Sequence, residues 1–205
     1  MPRRSQPLTI VLRLVLMLGT VASIVWVSGR SPGWALPAQA SATVPALCPR
    51  YFAADLPKGI PDNQPSGINS SLVITNTGLT IQRLDVRIDS LVHTFVGDLR
   101  LTLISPGGQQ IALIGNPGVL ANTGHNFYGT TLEDGFPTSI LNGIAPFTGG
   151  FQPVQPLAVL NGHFLNGTWK LKVADVDASD VGTLEAWSLE ICSLPARQWL
   201  PFLAR

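Results

Sequence analysis

From about Gly59 to Cys192, apolar residues recur at every second position, in runs cut short by Gly, Pro, Asn and Asp. Side chains alternate across a strand with period two, so this pattern specifies half-buried β-strands. No segment keeps a helical period for three turns, which excludes helical bundles and βα repeats and predicts an all-β domain. Leu84, Val86 and Ile88 share one face, with Asp85, Arg87 and Asp89 on the other. Ile81 is out of phase with Leu84, and a bulge near Gln82-Arg83 restores the register. Leu99, Leu101 and Leu103 alternate with Arg100 and Thr102 up to the turn sequence Ser105-Pro106-Gly107-Gly108. The pattern restarts at Gln110 to Ile114, as a hairpin does. Gly115 to Gly150 reads as loop-rich, with a short strand candidate at Asn126 to Leu132. Trp169, Leu171 and Val173, then Trp187, Leu189 and Ile191, mark two long closing strands. Short strands at this spacing pack as two antiparallel sheets, a β-sandwich of jelly-roll type.

Ahead of this domain, Arg3, Arg4 and Arg13 precede an uncharged apolar run, Leu14 to Val27, and then Ala38-Gln39-Ala40. That order predicts a secretory signal peptide over residues 1–40. The competing reading is an uncleaved anchor, but Ile10 to Val27 is short for a span and is interrupted by Arg13. The Arg3-Arg4 pair lacks the rest of a twin-arginine signal. Without residues 1–40 the chain keeps nine of its thirteen basic residues and all twelve acids, a net charge of −3. A mildly acidic surface has no counter-ion release to drive it onto nucleic acid, so that partner class is excluded. Residues 41–58 read as an Ala/Pro linker, 59–193 as one domain and 194–205 as a tail. The tail carries Trp199, Leu200, Phe202 and Leu203 and is too short to span a bilayer. A secreted chain with no membrane span in its mature part is therefore expected. In such a chain Cys48 and Cys192 read as one disulfide fastening the N-terminal segment to the last strand, the alternative being two unpaired thiols. Closing so long a loop contributes on the order of 4 kcal/mol. Neither cysteine sits in a Cys-x-x-Cys or Cys/His pattern, so zinc and thiol redox chemistry have no support.

The strongest chemical feature is Asp175-Val176-Asp177-Ala178-Ser179-Asp180, three carboxylates within six residues between two strands. Crowded hard oxygen ligands suit Ca²⁺, while the plainer reading is a solvated Asp-rich turn. The spacing is not that of an EF-hand. His93, Asp98 and Ser105 compose a hydrolytic triad on paper, with His125 and His163 as alternative bases, but no Gly-x-Ser-x-Gly elbow accompanies them. Catalysis is not expected. Trp169, Trp187, Phe127, Tyr128, Phe147 and Phe151 either line a peptide or carbohydrate groove or pack the core. Phe147 and Phe151, in a Gly-rich stretch, are the best candidates for a binding loop. Asn69-Ser70-Ser71 and Asn166-Gly167-Thr168 match N-glycosylation acceptors, a short pattern that is frequent by chance.

A series of short motifs runs through the whole domain. It comprises Ile60-Pro61-Asp62 with Gly67-Ile68, Val86-Arg87-Ile88-Asp89 leading to His93, Gly97-Asp98-Leu99, and Leu103-Ile104-Ser105-Pro106-Gly107-Gly108. It continues with Ala145-Pro146-Phe147 and Gly149 to Pro153, Gly167-Thr168-Trp169-Lys170-Leu171, and Asp180-Val181-Gly182-Thr183-Leu184 with Trp187-Ser188-Leu189. In order and spacing this series resembles the P domain (P/Homo B domain) of kexin-like and bacterial subtilisin-type proprotein convertases. The resemblance implies a jelly-roll, galactose-binding-domain-like sandwich that lies C-terminal to a subtilisin-like catalytic domain and stabilises it. Bacterial relatives bind calcium, which adds Asp98 and Asp134 to Asp175, Asp177 and Asp180 as candidate ligands. The Asp-Ser/Thr-Gly, His-Gly-Thr-His and Gly-Thr-Ser-Met-Ala motifs of such proteases do not occur here. The expectation is thus a secreted, non-catalytic stand-alone module, calcium-stabilised and associated with a subtilisin-like serine endopeptidase. The alternative is an independent extracellular peptide- or glycan-binding module.

Overall fold

A computed structural model describes residues 48–75, 78–115 and 124–195. The expected signal segment, and the tail beyond residue 195, lie outside them. Ten strands follow in order: β1 (Arg50–Phe52), β2 (Lys58–Ile60), β3 (Gln64–Ile74), β4 (Leu79–His93), β5 (Leu99–Ile104), β6 (Gln110–Ile114), β7 (Phe127–Leu132), β8 (Phe147–Phe151), β9 (Gly167–Asp175) and β10 (Gly182–Pro195). One sheet runs β1-β10-β4-β7-β8, with β2 also paired to β10, and the other runs β3-β9-β5-β6. Every pairing is antiparallel except β7 with β8. This is the all-β, two-sheet sandwich expected, and its order is compatible with jelly-roll connections. Among the described residues no helix is long and apolar enough to cross a membrane.

The alternating positions meet between the sheets. Leu84, Val86, Ile88, Leu99, Leu101, Leu103, Trp169, Leu171, Val173, Trp187, Leu189 and Ile191 are all buried. The expected bulge is present, since Cys192 pairs with Arg83 and Ser193 with Ile81, leaving Gln82 as the extra residue. Burying a tryptophan indole requires a partner for its N–H. Trp169 donates Nε1–H to the carbonyl of Leu165 at 3.0 Å, and Trp187 donates its own to Ser70 Oγ at 2.8 Å, linking β10 to β3 across the core. Ser70 Oγ in turn donates to Asp55 Oδ1 at 2.5 Å.

Three parts of the chain differ from expectation. Arg50–Phe52, inside the stretch expected to be a linker, forms β1 and pairs with Ser188 to Glu190. It is held there by a disulfide between Cys48 and Cys192, the pairing anticipated from the sequence. Leu194 and Pro195, expected in the tail, continue β10 opposite Thr80 and Leu79. Phe147 and Phe151, expected on a loop, belong to β8. Phe147 is fully buried and stacked on Phe127 at 4.8 Å, and Phe151 packs edge-on against Phe147 at 5.7 Å. The Phe147 ring is core, the partly buried Phe151 ring packs against it, and Phe-Thr-Gly-Gly-Phe is too glycine-rich to read as a strand.

Candidate functional site

At one end of the sandwich the last residue of β4, the start of β5 and the arch from β9 to β10 converge. β9 and β10 lie in different sheets, so the Asp-rich segment joining them crosses from one sheet to the other. Leu99 is paired with Asp175 and the amide of Val176 donates to the carbonyl of Asp98 at 3.1 Å, which sets Asp98 beside the arch. His93 and Asp175 are both fully buried, with Nε2 of the ring 3.1 Å from Asp175 Oδ2. The other ring nitrogen, Nδ1, stands 2.8 Å from the carbonyl of Phe95. A buried carboxylate needs such partners, and this pair ties one sheet to the other. Asp175 Oδ1 also accepts from the amide of Asp177 at 3.1 Å.

The arch is locked from both sides. Asp62 accepts from the amide of Ser179, whose φ is 89°, and the amide of Asn63 donates to the carbonyl of Asp177. Thr94 and Val181 exchange bonds, the Thr94 amide donating to the Val181 carbonyl and the Val181 amide to Thr94 Oγ1. Gly182 is required here by close approach: a Cβ would lie 2.3 Å from the His93 ring and 2.5 Å from the Val92 carbonyl. Asp62 is not legible as a site residue in the sequence because its partner is 117 residues away; its place in Ile-Pro-Asp is the available signal.

Asp175, Asp177 and Asp180 lie within electrostatic reach of Asp98, but no three acids among the described residues converge on one point. Asp98 is 8% exposed and its carboxyl is held above the ordinary carboxylate range. Burial is the main cause; the negative charges of Asp175, Asp177 and Asp180 add to it, and His93 opposes it. Asp134 is elsewhere. It follows β7, whose Leu132 pairs with Val86, seven residues along β4 from His93 and so roughly 20 Å away. There both carboxylate oxygens accept amides of the 3₁₀ turn Leu157–Leu160, from Leu157 at 2.9 Å and Ala158 at 2.7 Å. Asp134 caps this 3₁₀ turn and does not lie at the arch.

The paper triad does not assemble. Asp98 precedes β5 and Ser105 follows it, about 20 Å apart along the strand. Ser105 Oγ accepts the amide of Gln109 at 3.1 Å, the bond that closes the β5–β6 turn. His125 and His163 are exposed. Of the aromatic residues considered for a groove, Trp169, Trp187, Phe127 and Phe147 are core, which leaves Tyr128 as the exposed one.

Residues 81–191 match the family described as Proprotein convertase P-domain. Leupeptin-inactivating enzyme 1 of Streptomyces exfoliatus is 25% identical over 133 residues, covering 63% of this chain and 23% of the relative. The chain therefore spans about a quarter of that relative's length. Among solved structures, the serine protease of Aeromonas sobria in complex with its chaperone is similar with a TM-score of 0.43 and 20% identity, over 72% of this chain and 28% of that one. The structure of that protease alone gives a TM-score of 0.40 and 19% identity, over 71% of this chain and 27% of that one.

Proposed function

Because the chain belongs to the proprotein convertase P-domain family, we propose that it is an exported, non-catalytic module that binds and stabilises the catalytic domain of a subtilisin-like serine protease. The observation that carries this reading is the extent of the family match. Residues 81–191 run from the bulge of β4 to the last core residue of β10, and so include the acidic arch and strands from both sheets. The Cys48–Cys192 disulfide supports an oxidising, extracellular compartment. His93 supports a non-catalytic role, because both of its ring nitrogens are engaged by Phe95 and Asp175.

Calcium is the finer part of the proposal. Asp98, Asp175, Asp177 and Asp180 would hold it, and its charge would relieve the repulsion that adds to the effect of burial on the Asp98 carboxyl. Among the described residues no three His, Cys, Asp or Glu side chains form a ready-made cage. A site here would therefore depend on main-chain carbonyls as well, which Ca²⁺ accepts.

The protease reading is tested by capture from culture supernatant on the immobilised protein, followed by a serine-directed active-site probe. The expected result is a captured partner that takes the label while this chain does not. Labelling of a serine in this chain would overturn the assignment. For calcium, the melting temperature should rise with added Ca²⁺, and Asp177→Asn with Asp180→Asn should abolish the rise. No rise in the unmodified protein removes calcium and leaves the protease reading standing.

A further inference from the structure

The outer face of the β3-β9-β5-β6 sheet holds positive charge that no acid of the chain neutralises. All twelve acids of the sequence are among the described residues, and these four strands contain one of them, the buried Asp175. Their basic residues are Arg100, Lys170 and Lys172, which alternate with the buried Leu99, Leu101, Trp169, Leu171 and Val173 and so point outward. Every other basic residue described is ion-paired: Arg50 and Arg87 with Asp89, Lys58 with Asp55, and Arg83 with Asp85. Arg100, Lys170 and Lys172 have neither an ion pair nor a hydrogen bond among the described residues. Lys170 stands between Ser71 on β3 and Ile104 on β5, Lys172 between Asn69 and Thr102, and Arg100 lies opposite Ala174, one step further on. The three charges therefore form a line of roughly 14 Å along the strands. Like charges set side by side on a sheet repel, and here no carboxylate offsets them. At its Lys170 end the line meets a hollow of about 530 Å³, lined also by Ile104, Pro106, Gly167 and Thr168, which is within the size range of small-ligand sites.

We propose that this face binds an acidic polysaccharide, a chain of sugars bearing carboxylate groups, with Lys170, Lys172 and Arg100 on its charges. Charge complementarity selects an anion, and a line of cations along one sheet selects a polymer over a single small anion. Interfaces with proteins are depleted in lysine and centred on buried aromatic anchors. This face has two lysines, and Trp169, the one aromatic residue of its four strands, is buried on the inner side. Single-stranded nucleic acid needs aromatic rings on which its bases stack, and the same absence disfavours it. A sugar chain needs neither. Asn69, Ser71 and Thr102 stand beside the lysines as partners for its hydroxyls, and the guanidinium fork of Arg100 matches the two oxygens of a carboxylate. Such binding does not depend on the protease reading.

The test is calorimetric titration of the protein with polygalacturonate at low ionic strength, in EDTA so that calcium plays no part. Saturable binding is expected, and it should weaken steeply as salt is added. Affinity should fall about tenfold or more in the Lys170→Gln, Lys172→Gln double variant, and further with Arg100→Gln. Lys170→Arg with Lys172→Arg keeps the charge and should retain binding, while Arg83→Gln, on the other sheet, should leave it unchanged. The neutralising variants relieve repulsion, so their melting temperatures should hold or rise, which separates lost binding from lost folding. Absence of saturable binding, or equal affinity in the neutralised variants, would overturn the proposal. So would polyglutamate or single-stranded DNA binding as tightly as the polysaccharide, the first making the face a site for acidic protein and the second a site for any polyanion.

Discussion

Replacing Asp85 by Asn offers a direct measure of the cost of an acidic row on the outer face of the larger sheet, where Glu190 on β10 pairs with Asp85 on β4 and the Val86–Leu132 pairing brings Glu133 alongside. The Asp85 carboxyl is raised from 3.8 to about 6 in the folded protein. Between those values the folded state holds a proton that the unfolded chain has released, so stability falls as pH rises through the window and is level above it. At about 1.36 kcal/mol per unit the loss from pH 4 to pH 8 is at most about 2.5 kcal/mol. Arg83, 51% exposed, keeps water at the edge of the row, which screens the charges and brings the expected figure down to about 1–2 kcal/mol. The substituted amide carries no charge at any of these pH values, so the variant should gain that amount on the parent protein as pH is raised from 4 to 8. Urea unfolding of both proteins at pH 4, 5, 6 and 8 measures it, since titrating groups that do not interact with Asp85 cancel in the difference. A difference that stays constant across the four pH values refutes the reasoning, and one that shrinks with rising pH reverses its sign.

Three further perturbations test the rest of the framework. Cys48→Ser with Cys192→Ser opens a loop of 144 residues, so the denaturation midpoint should fall by the equivalent of about 4–5 kcal/mol; an unchanged midpoint would show that β1 is held by its strand pairing alone. Gly182→Ala drives a Cβ into the His93 ring and should cost about 2 kcal/mol or more, whereas Gly59→Ala, with nothing within 4 Å, should fall within about 0.5 kcal/mol of the parent in thermal melts. His93→Ala leaves the Asp175 carboxylate buried without its inter-sheet partner, and a loss of about 3–5 kcal/mol is expected by chemical denaturation; less than about 1 kcal/mol would mean that the pair is not a structural tie.

The strands that form the core were legible because their alternation is strict. Leu84, Val86 and Ile88 could be assigned to the inner face, and the phase of Ile81 located the bulge at Gln82, without any knowledge of partners. The family motifs and the Cys48–Cys192 bond were legible too, since both rest on residue identity and order. β8 was not legible. Phe147 to Phe151 has little strand propensity of its own and is held by parallel pairing with β7 and by ring stacking on Phe127. β1 was hidden for a similar reason, because three residues in an Ala/Pro-rich stretch become a strand only when the edge of β10 is there to receive them.

The same division holds for the candidate sites. The carboxylates of the arch are neighbours along the chain, so the sequence alone marked Asp175, Asp177 and Asp180 as one cluster. Whether Asp98 joins them and Asp134 does not depends on distances along β4 and across the two sheets, which no local pattern encodes. The acidic row is the extreme case. Asp85, Glu133 and Glu190 are 48 and 57 residues apart in sequence and become neighbours only through the registers of β4 with β7 and of β4 with β10. Alternation decides which face a side chain takes, since that is a property of one strand. Which charges then share that face is decided by strand pairing, because register exists only between strands.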